Sequence, residues 1–174
     1  NLTRTSYGVA MLNVIEHGPD RDGRPLIIVH GLYGSARNWG VIAKRLSDER
    51  HVIAVDQRNH GDSPWFDTHS YTDMAQDLIA VVNHIGAPAD IIGHSMGGKT
   101  AMVMALLRPD LVNRLLVADI APIAYGHDQS QYIQAMQDVD LSIVEKRSDA
   151  LQQLARTIDD TTLQSFFTQS LDVA

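Results

Sequence analysis

Short continuous apolar runs alternate with stretches in which apolar residues recur every three or four positions, and this alternation organises the first two thirds of the chain. Pro25-Leu26-Ile27-Ile28-Val29-His30, His51-Val52-Ile53-Ala54-Val55-Asp56, the run into Asp90-Ile91-Ile92, and Arg114 to Ile120 are rich in β-branched residues, as strands covered on both faces are. Between them Trp39, Ile42, Ala43 and Leu46 recur at helical spacing, with Ser35 as a possible cap. Met74, Leu78, Val81, Val82 and Ile85 do the same and are closed by Gly86. Thr100 to Leu107 is apolar on every side, which predicts a buried helix that Pro109 ends. Leu2 to Glu16 alternates loosely (Tyr7, Val9, Met11, Asn13, Ile15) and breaks at Gly8, which predicts two antiparallel edge strands. Strand and helix in alternation predict an α/β fold, with a mostly parallel sheet and helices on both faces.

From about Ala124 the strands stop, glutamine becomes frequent and only helical periods remain. Ala150, Leu151, Leu154, Ala155 and Ile158 form one stripe behind Ser148 as a cap. Leu163, Phe166, Phe167 and Leu171 form another, with Thr161 and Gln164 as a capping box. The chain therefore divides into a core over residues 1–123 and a helical region over 124–174. The latter is expected to lie as a lid over the carboxyl edge of the sheet, where open α/β sheets bind ligands.

Composition narrows the function classes. The 174 residues carry a net charge of -7, which argues against nucleic acid or an anionic membrane surface as the main partner. There is no cysteine, so no disulfide framework and no thiolate metal site, which suits a reducing cytoplasm. No apolar run approaches the roughly 20 residues of a membrane span. The eight histidines show no metal-ligand spacing, and neither a metal nor a cofactor is implied.

The candidate chemistry lies at Gly93-His94-Ser95-Met96-Gly97-Gly98. An apolar strand meets a helical pattern there through a Gly-x-Ser-x-Gly. A serine on such an elbow takes a strained, positive-φ conformation, and bulk two residues to either side would collide. Ser95 is thus a candidate nucleophile, and the Met96 amide opens the helix beside it, facing the place where an oxyanion would form. Asp119, at the carboxyl end of the next strand, stands on the same edge and could orient a histidine. His94 and His60 are less suited to act as the base. His94 adjoins the nucleophile and should project away from Oγ. His60 lies in a loop that ties strand ends together, with Arg58 pairing a carboxylate such as Asp56. Tyr33, Tyr125, Phe166 and Phe167 could line an acyl pocket, with Gly31 and His94 as further candidate substrate contacts; Lys99 reads as structural.

The elbow, the His30-Gly31-Leu32 turn and Asp56-x-Arg58-Asn59-His60-Gly61 together resemble the α/β-hydrolase superfamily over residues 3 to 125, in the right order. Within it, His-Gly-Leu-Tyr-Gly-Ser, Arg-Asn-His-Gly-Asp-Ser, Gly-His-Ser-Met-Gly-Gly-Lys-Thr and Ala-Asp-Ile-Ala-Pro look most like the small cap-bearing esterases. The resemblance implies hydrolysis of carboxylic esters or acyl-CoA thioesters through a Ser-His-Asp acyl-enzyme mechanism. It also implies the Leu32 amide as the second oxyanion donor, and Asp119 as the acid. The competing readings of this chain are a carbon–carbon bond hydrolase or cofactor-free perhydrolase of the same fold, or a non-catalytic relative that binds a ligand; dehalogenases and epoxide hydrolases are disfavoured because they carry aspartate where this chain has Ser95. The superfamily places its catalytic histidine after the final strand. No histidine here fills that role, and the Asp119 strand would be left as an apolar edge. A longer protein of about 250 residues is therefore expected, whose remainder supplies further strands and the histidine.

Overall fold

A computed structural model describes residues 12–19, 22–126 and 128–172. Its sheet is built from β1 (Val14–His17), β2 (Leu26–Val29), β3 (Val52–Val55), β4 (Ala89–His94) and β5 (Val112–Ala118), in the order β1-β3-β2-β4-β5. β1 runs antiparallel to β3, and the other neighbours are parallel. The expected strand around Tyr7, Val9 and Met11 lies outside the described residues.

Alternation along the inner strands sends their side chains to two cores. Leu26, Ile28, Val52 and Ala54 pack on one face with Ala36, from a 310 turn (Ala36–Trp39), and with Ala43 of α1 (Gly40–Leu46). Ile27, Val29, Ile53, Val55 and Ile91 pack on the other with Ala75, Leu78, Ile79 and Val82 of α2 (Tyr71–Ile85) and Ala101 and Met104 of α3 (Met96–Leu107). Helices thus cover both faces. Each fully buried Leu or Ile contributes about 1.5–3 kcal/mol, so the double-sided strands anchor the sheet. The Ser70 hydroxyl and the Asp73 carboxylate cap the start of α2, and Gly86, at φ 79°, ends it.

Several local expectations give way to tertiary context. Ile42 faces solvent, and the buried residues of α3 end at Met104, leaving Leu106 83 % exposed. β5 ends at Ala118 because Asp119 turns to φ 58° and breaks the strand before Ile120. Beyond β5 no further strand pairs among the described residues, so Leu115 and Leu116 stay exposed.

The chain clusters into two compact units, divided between Pro122 and Ile123. The second holds α4 (Ser130–Gln137), α5 (Arg147–Leu154) and α6 (Thr161–Thr168). Ala150, Leu154, Ile158 and Phe167 are its buried apolar residues, together with Ala135. The caps differ from the sequence reading. Asp149 closes the start of α5 by accepting from the Lys146 amide at 3.0 Å, which puts Ser148 inside the helix. Asp160, not Thr161, caps α6, accepting from the Thr162 and Leu163 amides at 2.7 and 3.2 Å. A carboxylate outcompetes a hydroxyl for amide donors, and Gln164 is turned inward to donate to the Ile158 carbonyl.

Candidate active site

Strand order places the site. The chain passes from β2 outward to β3 and then returns to the far side of β2 as β4, so the crevice of this open sheet lies between the carboxyl ends of β2 and β4. Register aligns those ends: Val29 pairs with Gly93, and Gly93 with Val117. Two residues further along each strand come Gly31, Ser95 and Asp119, in one row across the edge.

Ser95 has φ 50° and ψ -117°, the strained backbone expected at an elbow. Its amide donates to the Ala118 carbonyl at 2.9 Å, and its carbonyl accepts from Lys99 at 3.2 Å. Steric exclusion holds the turn. A β-carbon on Gly93 would stand 2.5 Å from the Gly97 carbonyl oxygen, and one on Gly97 would run into the Val29 and His30 carbonyl oxygens. On Gly98 it would meet the Ile120 and Val117 side chains. Met96 then opens α3, where the first amides have no acceptor within the helix. Lys99 extends over the Tyr71 ring, 5.8 Å from its centroid.

The turn after β2 is held by polar contacts. His30 is buried, and its Nε2 accepts from the Gln57 amide at 3.0 Å, which leaves the proton on Nδ1 to donate to the Gly31 carbonyl at 2.7 Å. Burial above all lowers the His30 pKa to about 4, so the ring is neutral and unsuited to act as a base at neutral pH. The Gly34 amide donates to the Gly31 carbonyl at 3.1 Å, and Tyr33, at φ 61°, donates to His60 Nε2 at 3.3 Å. Both neighbours are thereby engaged, while the Leu32 and Met96 amides take no acceptor among the described residues.

Asp56 has a different role from the expected one. It accepts from the Ala36 amide, the Asn13 side chain and the Asp62 amide at 2.7, 2.8 and 3.0 Å, tying three loops together. Arg58 instead grips Asp77 of α2 in a fork, at 2.6 and 2.9 Å. A planar guanidinium is best matched by a carboxylate with both oxygens unclaimed, and those of Asp56 are already taken. The sequence reading also missed Gln57 and Thr100, both buried; the available signal was a polar residue just past an apolar strand and another at the head of an apolar helix.

Asp119 is largely exposed, and His94 Nε2 lies 3.6 Å from its carboxylate, beyond hydrogen-bond range. The other side of the His94 ring abuts Gly31, and Trp39 stands 6.0 Å away. No described histidine bonds Ser95 Oγ; His127 lies outside the described residues. Tyr125, Phe166 and Phe167 belong to the second unit, where Phe167 is buried against Tyr132 and Phe166 with ring centroids 5.5 and 5.7 Å apart. Among the described residues no three His, Asp or Glu side chains gather as a metal site, and no helix is long and apolar enough to cross a membrane.

The chain is 39 % identical over 155 residues to the mouse sn-1-specific diacylglycerol lipase ABHD11, covering 84 % of the chain and 50 % of that protein. It is 43 % identical over 109 residues to the Escherichia coli esterase YbfF, covering 60 % and 43 %. A solved marine microorganism esterase superposes with a TM-score of 0.87 at 41 % identity, over 94 % of this chain and 65 % of that one. The chain spans about half the length of the curated relatives it matches. A sequence profile described as the alpha/beta hydrolase fold matches residues 24–171, and the chain belongs to that family.

Proposed function

We propose that this chain carries the nucleophile and oxyanion parts of a serine esterase or thioesterase acting on small acyl esters. Ser95 Oγ attacks the acyl carbon while a histidine takes its proton, and the Leu32 and Met96 amides hold the oxyanion. Collapse breaks the acyl–oxygen or acyl–sulfur bond, the histidine returns the proton to the leaving group, and water then releases the acid. Asp119 orients that histidine, which a further segment of the protein supplies; the same segment pairs with the exposed edge of β5. Gly31, Tyr33 and His94 serve as substrate contacts at the sheet edge. The observation that carries this reading is the strained Ser95 backbone at the head of α3. Esterase and lipase relatives support it. In the full-length protein, a fluorophosphonate probe should label Ser95 stoichiometrically, and Ser95→Ala should abolish both labelling and p-nitrophenyl acetate turnover. Turnover that survives Ser95→Ala would refute the assignment.

A further inference from the structure

The two turns at the crevice are bridged by a buried chain of neutral side chains, and we propose that Gln57 and Thr100 are positioning residues that set the Leu32 amide against the Met96 amide. The inference rests on the reading of these amides as oxyanion donors. Gln57 Nε2 donates to the His30 carbonyl at 2.7 Å, and its Oε1 accepts from the Thr100 hydroxyl at 2.8 Å. The amide orientation is unambiguous, since reversing it would press two carbonyl oxygens together. The Gln57 backbone adds its own bond to the His30 ring, which in turn holds Gly31. His30, Gln57 and Thr100 are each 2 % exposed or less, so water offers no substitute partner.

The route is short at both ends. Thr100 lies one turn into α3, with its hydroxyl 3.1 Å from the Met96 carbonyl, and His30 is two residues before Leu32. The donors belong to different elements, a helix start and a strand exit, yet each must come within about 3 Å of the same oxygen. The β2–β4 register sets the height of the two elements as far as Val29 and Gly93, and beyond it Gly97 lets them touch through a contact that carries no direction. The Gln57 bridge is directional and continues that alignment past the last paired residues. Its loss would move one donor by a fraction of an ångström without removing it.

The test uses the full-length protein. Thr100→Val keeps the shape and deletes the hydroxyl, Thr100→Ser keeps the hydroxyl, and Gln57→Met keeps the length and deletes both polar groups. Rates are expressed per active site titrated with the fluorophosphonate, which removes any unfolded fraction. We expect kcat on p-nitrophenyl acetate to fall about tenfold in Thr100→Val and about a hundredfold in Gln57→Met, with KM within about twofold. The inhibition constant of an alkyl trifluoromethyl ketone, whose adduct places an oxyanion in the same hole, should rise by the same factors, and Thr100→Ser should restore both. If Gln57→Met does not fold, the isosteric Thr100→Val carries the test. Titrated variants that match the parent in kcat and in ketone affinity would overturn the positioning role while leaving Ser95 as nucleophile. A parent whose Ser95 is not labelled would overturn the underlying reading, and this inference with it.

Discussion

The turn after β4 and the turn after β2 lie side by side at the crevice and are held by opposite means. The elbow is shaped by what cannot fit: a β-carbon at Gly93 or Gly97 would enter space already taken by backbone. The turn after β2 is shaped by what is bonded, through a buried neutral histidine, a glutamine and a threonine. Steric exclusion tolerates any chemistry provided there is no side chain; a bonded turn tolerates shape changes but not the loss of a donor. Ser95, the proposed nucleophile, thus rests on the part of the site that chemistry perturbs least.

The largest expected effect lies outside both turns. Asp119→Asn leaves the elbow and the β2 turn in place and removes the negative charge that would orient and stabilise a histidinium. In the full-length protein kcat should fall by about 10⁴, as for the equivalent change in a serine protease triad. Fluorophosphonate labelling should still run to completion, only more slowly. Activity near that of the parent would move the acid to another residue and separate the turns from the chemistry. Next comes Gly97→Ala. Its new methyl meets two carbonyl oxygens of a central strand that cannot retreat, so destabilisation of about 3 kcal/mol or more is expected by urea unfolding, at the upper end for overpacking. A loss below about 1 kcal/mol would show that the elbow is not held by exclusion.

The bonded turn should reveal itself through pH. The His30 pKa is lowered to about 4, so between there and its ordinary value the unfolded chain binds a proton that the folded one refuses. Stability must then rise with pH across that window, and the His30 share is lost as pH falls from about 6.5 to 4. It amounts to about 3 kcal/mol. His69 is also held low, by partial burial first, and adds in the same direction. NMR should show a neutral His30 ring, protonated on Nδ1, over most of this range, charging only as the pH approaches 4. A ring titrating near its ordinary value would mean that His30 is not buried as described and that the Gln57 amide does not hold its Nε2.

The same contrast explains what could be read from the sequence. Exclusion writes itself locally, as glycines at fixed spacing from Ser95, and the positive φ was predictable from five residues. The inner strands were legible because burial on both faces requires unbroken apolar runs at Leu26–Val29 and Val52–Val55. The polar bridge was not. Gln57 and Thr100 stand 43 positions apart, and no periodicity relates them. Arg58 was assigned the nearest acid in sequence, whereas its partner Asp77 comes from the helix that packs across the loop. The caps of α5 and α6 were misplaced for a related reason: several polar residues near each helix start could accept the free amides, and only the fold decides which carboxylate arrives.

The smallest expected effect tests the contrast from within, by adding one methyl to the bonded turn. At Gly31 a β-carbon would meet His94 Nδ1 at 2.8 Å, with His94 Cε1 and Ser95 Cβ at 3.3 Å. The first two belong to a ring that is 40 % exposed and can swing away, and the third asks for a few tenths of an ångström. No backbone atom stands among these nearest contacts, unlike the carbonyl oxygens that oppose Gly97. Gly31→Ala should therefore cost under about 1 kcal/mol, with the relief taken up by His94 turning toward solvent. The His94 ring resonances should shift while those of His30 stay in place. If Gly31→Ala proves as destabilising as Gly97→Ala, the turn after β2 is also held by exclusion, and the two turns are one rigid body and not a sterically fixed elbow beside a hydrogen-bonded arm.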